Sequence, residues 1–194
     1  MTVKMKIEEI INHIYPMPAA SVSRLAQRTE QVHYPRGHHL IEQGRVEPDL
    51  FLMVQGAACA YTWAQGKKIT FWIGCEGSIL TSLKSYVSGE PGYETIELME
   101  DSILYRLRRS DLYRLYDEDI HIANWGRKFA EQEFMHTEEH LIPMLFTTAM
   151  QRYTLLLRGN PHLLQRIPLE SLATWLGITP VSLSRIRKSL KGQE

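Results

Sequence analysis

Ile7, Ile10, Ile11 and Ile14 recur at helical spacing, which predicts a short amphipathic helix over residues 4–15. Pro16 and Pro18 end it, because a residue that precedes proline disfavours helical backbone. Val22, Leu25 and Ala26 mark a second short helix within 19–29. From residue 32 to 107 the period changes. Short runs rich in β-branched and aromatic residues (LFLMVQ, ACAYTWA, KITFWI and SILYRL among them) alternate with glycine-bearing turns. Seven candidate strands of this kind predict an antiparallel β-roll of the jelly-roll or double-stranded β-helix type. Gln65-Gly66-Lys67 reads as a hairpin tip, and 78–88 as a short helix inserted in the roll.

The helical period returns near Ser110, with Leu112 and Leu115. Residues 119–145 contain one glycine, Gly126, and no proline before Pro143. They predict a single helix ~40 Å long at ~1.5 Å per residue. Ile122, Trp125 and Phe129, followed by His136, lie at three- to four-residue or seven-residue intervals and predict a seam between two copies of the chain. The alternative is a helix packed only on its own roll.

Beyond this helix, Thr148 and Gln151 form a capping box for another, which Gly159-Asn160-Pro161 terminates. Leu169, Leu172, Ala173 and Leu176 then make one apolar helix face. Gly177 permits a tight turn, Thr179 caps the next helix, and Pro180 occupies its first position, where a missing N–H costs nothing. Leu183, Ile186 and Leu190 give that last helix an inward face. The pattern is a helix-turn-helix. On a helical wheel Val181, Arg185, Lys188 and Ser189 point away from the Leu183/Ile186/Leu190 face, Ser182 and Ser184 flank that face, and Arg187 sits at its edge. Together with Thr179 these are the candidate DNA-binding residues, because cations and hydroxyls suit phosphates and base edges in a major groove.

Charge sharpens this picture. Lys+Arg and Asp+Glu are each 22, but residues 1–145 hold 15 basic against 20 acidic side chains, and residues 146–194 hold 7 against 2. A basic C-terminal quarter on an acidic body implies a polyanionic partner at one end. Two cysteines, Cys59 and Cys75, exclude a disulfide framework, a four-cysteine zinc site and an all-cysteine iron–sulfur cluster. Both lie in apolar strands and read as buried thiols. No apolar run reaches the ~18 residues of a membrane span. Glu8 and Glu9 stand where a signal peptide would be apolar, so a cytoplasmic protein with no membrane partner is expected. His136-Thr-Glu-Glu139-His140 fits the H-x-x-E-H pattern of some zinc peptidases, but no third ligand is identifiable. Neither catalytic residues, nor a metal, nor a cofactor are expected.

The chain resembles the Crp/Fnr family of bacterial transcription regulators. The resemblance is carried by Leu40-Ile41-Glu42-Gln43-Gly44 and Leu50 to Gly56 in the roll. In the C-terminal part it is carried by Leu172-Ala173, Leu176 to Thr179, and Leu183 to Arg187. It implies an α+β chain in three parts. These are a cyclic-nucleotide-binding-like sensor over 1–115 and a dimerisation helix over 116–146. The third is an all-α helix-turn-helix domain over 147–194, with no C-terminal wing. It implies a homodimer on double-stranded DNA, with RNA polymerase as a further partner and a small-molecule effector of unknown identity. Members that bind cyclic nucleotides carry a Gly-Glu pair and an Arg-Ser or Arg-Thr pair for ribose and phosphate. Those pairs align here with Thr81-Ser82 and Gly92-Tyr93, so cyclic AMP is not the expected ligand. Tyr61, Ser78, Thr81, Ser82 and Tyr93 are the candidate effector pocket. The second reading of the whole chain is a ligand-sensing roll whose helix-turn-helix contacts protein rather than DNA.

Overall fold

The computed structural model describes residues 5–191. Two short helices, α1 (Ile7–Ile14) and α2 (Ala19–Ala26), precede eight strands. These are β1 (Thr29–Tyr34), β2 (His39–Ile41), β3 (Leu50–Gln55), β4 (Ala58–Ala64), β5 (Lys67–Gly74), β6 (Ile79–Leu80), β7 (Thr95–Leu98) and β8 (Ser102–Leu107). They form two four-stranded sheets, in the orders β1-β8-β3-β6 and β2-β7-β4-β5, and every strand pair is antiparallel. The segment expected as one helix over 78–88 instead divides into β6 and helix α3 (Leu83–Ser88), which Ser82 caps. Ile79 and Leu80 are both buried, and β6 pairs with β3, so sheet pairing overrides the local helical signal.

The β4–β5 hairpin turns at Gln65 and Gly66, whose φ values are 51° and 74°. Two consecutive positive values are the type I′ geometry that matches strand twist. Helices α4 (Arg109–Glu118), α5 (Ile120–Phe146), α6 (Ala149–Gly159), α7 (Leu163–Arg166), α8 (Leu169–Trp175) and α9 (Pro180–Lys191) complete the described chain. No helix among the described residues is long and apolar enough to cross a membrane.

Three apolar clusters hold these parts together. Ile41, Met53, Leu80, Leu98 and Leu104 fill the space between the two sheets. Ile10, Ile11, Leu25, Leu52, Leu107 and Trp125 join the outer face of β3 and β8 to α1, α2, α4 and α5. Leu156, Leu172, Ala173, Leu176 and Leu183 form the core of the helix-turn-helix, and this core continues onto Ala57, Cys59 and Met99 of the roll. The third cluster therefore packs the C-terminal helices onto the roll of the same chain.

Candidate functional site

The helix-turn-helix is built as its residue pattern predicts. Gly177 has φ +69°, the left-handed backbone a short turn requires. The Thr179 hydroxyl accepts the Ser182 amide at 3.1 Å and lies 2.9 Å from the Ser182 hydroxyl. Leu183 is fully buried against Leu172, Ala173 and Leu176. That anchorage turns Val181, Arg185, Lys188 and Ser189 to solvent, with Thr179 exposed at the helix start. Ser184 is half-buried, as is Ser182, which is engaged in the cap.

Arg187 departs from expectation. Its Nε and Nη2 are buried without a hydrogen-bond partner among the described residues, and its guanidinium lies 5.8 Å from the Tyr153 ring centre. Residue 187 follows Leu183 by four positions, about 40° around the helix, and so shares the inward face. Arg187 is half-buried and presents less of its side chain to solvent than Arg185 or Lys188.

The helix-turn-helix is docked on the sensor. Strand β5 is an edge strand, and α8 covers its free side. The Thr70 amide donates to the Thr174 hydroxyl at 3.1 Å, satisfying a group that an edge would leave open. Arg166 at the end of α7 closes the contact. Its guanidinium donates to both Glu76 oxygens at 2.8 Å, to both Glu100 oxygens at 2.7 and 2.9 Å, and to the Gly56 carbonyl at 2.8 Å. Burial pushes the Glu76 carboxyl up, but the Arg166 guanidinium and the Gly56 amide outweigh it and hold it below the usual carboxylate range. Nothing in local sequence pattern marks Arg166, because its partners lie 66 and 90 residues away.

Between the mouth of the roll, α5 and the C-terminal helices runs a groove of about 1080 Å³. Ser78, Thr81 and Tyr93 line it. Two other expected pocket residues do not. Ser82 is fully buried and accepts the Ser85 amide as the cap of α3. Tyr61 packs edge-on against Trp63 at 6.4 Å, with the Lys68 ammonium 3.8 Å from its ring centre. The two aligned cassette positions do meet. A Cβ added to Gly92 would lie 2.5 Å from the Ser82 hydroxyl and 3.4 Å from Glu94 Oε2. At this point the chain offers a hydroxyl and a carboxylate, and neither pairs with a phosphate as a guanidinium would. Glu94 was readable in the sequence by parity, since Ile96 and Leu98 alternate into the roll interior and Glu94 continues the series.

Across the groove, α5 contributes Glu133, His136 and His140. Burial pushes the Glu133 carboxyl up, against His136 at 3.6 Å and the Trp72 indole, which favour its charged form. His140 stacks on Trp175 with ring centres 4.8 Å apart, and burial, then Arg152, holds its pKa below the usual imidazole value. No group of three or more His, Cys, Asp or Glu side chains could hold a metal among the described residues. Burial raises Cys59 to about 12 and Cys75 to about 11, so both thiols stay protonated at neutral pH.

The expected seam on α5 is corrected. Ile122 and Trp125 are fully buried and Phe129 nearly so, all in the cluster that joins α5 to α1 and the roll. The Trp125 indole donates to the Ile11 carbonyl at 3.0 Å. These side chains are enclosed by their own chain and cannot face a second copy. His136 is largely exposed but turned toward Glu133. A second stripe lies on the opposite side of the helix. Phe134, Met135, Leu141, Ile142 and Leu145 are all exposed, and Phe134, Leu141 and Leu145 follow intervals of seven and four. The first stripe is the more regular in sequence, and the roll claims it because it lies beside the sheet.

Residues 31–119 match the family model of the cyclic nucleotide-binding domain. No curated protein sequence matches the chain. Among solved structures, FixK2 from Bradyrhizobium japonicum superposes with a TM-score of 0.74 at 20% identity, covering 85% of each chain. The c-di-GMP-responsive global regulator CLP from Xanthomonas campestris gives a TM-score of 0.70 at 13% identity, covering 91% of this chain and 93% of that one. A transcriptional regulator of the Crp/Fnr family from Eubacterium rectale gives 0.68 at 15% identity, covering 93% and 88%. Residues 31–119 thus resemble the cyclic nucleotide-binding domain, and the chain as a whole shares the fold of these three structures.

Proposed function

We propose that this chain is a sequence-specific, DNA-binding transcription regulator that acts as a homodimer and responds to an effector bound in the roll. The observation that carries the reading is the exposed face of α9. Arg185 and Lys188 stand in solvent beside Ser189 and Val181, on a helix whose opposite side is locked by Leu183. A helix presented in this way enters a major groove with side chains that reach phosphates and base edges. The chain's fold relatives include proteins described as regulators.

Dimerisation follows the Phe134, Met135, Leu141, Ile142 and Leu145 face of α5. A row of large exposed apolar side chains at coiled-coil intervals is stabilised by pairing with its own copy. The groove adjoins both α5 and α8, so a molecule bound there touches the dimer helix and the DNA-binding unit together.

The test is binding to duplex DNA as salt rises. A regulator that meets phosphates through α9 loses affinity steeply with salt, and Arg185→Ala and Lys188→Ala flatten the slope. A helix-turn-helix devoted to protein contact leaves duplex unbound at every salt concentration, and that result would overturn the reading.

A further inference from the structure

Glu94 is a buried carboxyl group with one oxygen left unpaired. It is 4% exposed, and its Oε2 is enclosed without a hydrogen-bond partner among the described residues. It immediately precedes β7, on the inward parity of Ile96 and Leu98, and lines the groove at the roll mouth. Enclosing a carboxylate without a cation or donors is strongly unfavourable, so a group from outside the chain is the natural complement.

Of the cationic and imidazole groups that line the groove, His13 is exposed on α1 and the other three are engaged elsewhere. Arg152 donates to the Leu176 carbonyl at 3.0 Å and to the Thr147 carbonyl, His136 faces Glu133, and His140 stacks on Trp175. The groove that Glu94 lines also carries apolar and aromatic side chains. The Phe71 and Tyr93 rings lie 5.9 Å apart, tilted by 37°, and Leu80 and Ile96 line the same groove. Glu133 adds a second carboxylate from α5.

We propose that the roll mouth binds a small organic cation, an amine carried on an aromatic body. Its ammonium pairs with Glu94 and its body lies against Phe71 and Tyr93. A carboxylate and two aromatic faces favour positive charge through ion pairing and cation–π attraction. The same carboxylate repels a phosphate placed near Ser82 and Gly92. This proposal names the effector class for the groove assigned above, but the binding step itself needs no DNA.

The experiment is calorimetry on the full chain with tryptamine, tryptophol and indole-3-acetate. These probes share one ring system and end in a cation, a neutral hydroxyl and an anion. Tryptamine binds about tenfold more tightly than tryptophol, and indole-3-acetate does not bind. Glu94→Gln brings tryptamine to the level of tryptophol without lowering the melting temperature, because the oxygen it alters makes no hydrogen bond among the described residues. Equal affinity for all three probes overturns the proposal. So does the absence of tryptamine binding below about 1 mM, or unchanged tryptamine affinity in Glu94→Gln. The wild-type charge series decides the matter alone if the variant does not fold. Amine binding with no duplex binding refutes the DNA reading and leaves this one standing.

Discussion

Arg166→Met removes the guanidinium that joins the helix-turn-helix to the roll while keeping most of its apolar stem. Glu76 and Glu100 then face one another without a cation, and the Gly56 carbonyl loses a donor. Breaking an enclosed ion pair from one side costs ~3–5 kcal/mol, and ~3 kcal/mol suits this site because Glu100 is partly open to solvent. At ~1.4 kcal/mol per decade, the docked helices should leave the roll about 100-fold more often. The Thr70 amide reports that event directly. It points out of the edge strand to Thr174, so its hydrogen exchange requires α8 to lift. Exchange should therefore quicken by about two decades in the variant at neutral pH, with the β3 and β8 amides unchanged. Acid should close the gap. The folded pKa of Glu76 lies below its unfolded value, so its stabilisation is complete above the ordinary carboxylate range and is lost as pH falls through the folded value. Unchanged Thr70 protection, or a gap that persists in acid, would refute the assignment of Arg166 as the tie.

Trp125→Ala should lower stability by ~3–5 kcal/mol in chemical unfolding, since it leaves a cavity beside Ile11 and removes one of the two donors to that residue's carbonyl. Phe129→Glu should likewise weaken the fold of the chain, seen as an earlier melt. Leu141→Glu, on the exposed face of α5, should leave the melting temperature intact and convert the proposed dimer to monomers in sedimentation. A folded Leu141→Glu dimer would move the interface elsewhere. Arg185→Ala should cost ~1–3 kcal/mol against a duplex selected from a random pool, with the melting temperature unchanged. Equal affinity of the folded variant would remove Arg185 from the interface.

Local chemistry made much of this protein legible in its sequence. The type I′ hairpin at Gln65-Gly66, the Thr148 capping box, the Gly177 turn and the Thr179 cap all depend on residues within a few positions of one another. For the same reason the outward set Val181, Arg185, Lys188 and Ser189 could be drawn on a wheel. Other features depended on what lies next to each element. Periodicity showed that α5 carries an apolar stripe, but only packing decided that Ile122, Trp125 and Phe129 belong to the roll and that the Phe134–Leu145 stripe is free. Arg187 turned inward because Tyr153, on another helix, lies beneath it. The Arg166 cluster joins groups 66 to 110 residues apart, and no window along the chain contains both partners. The parity of Glu94 could be counted in the sequence, but its enclosure without a partner became visible only once both sheets and α5 had closed around it. A sequence determines what each segment prefers within a few residues. Which of two apolar faces is covered, and which charge is left unanswered, depends on long-range contacts that exist only in the folded chain.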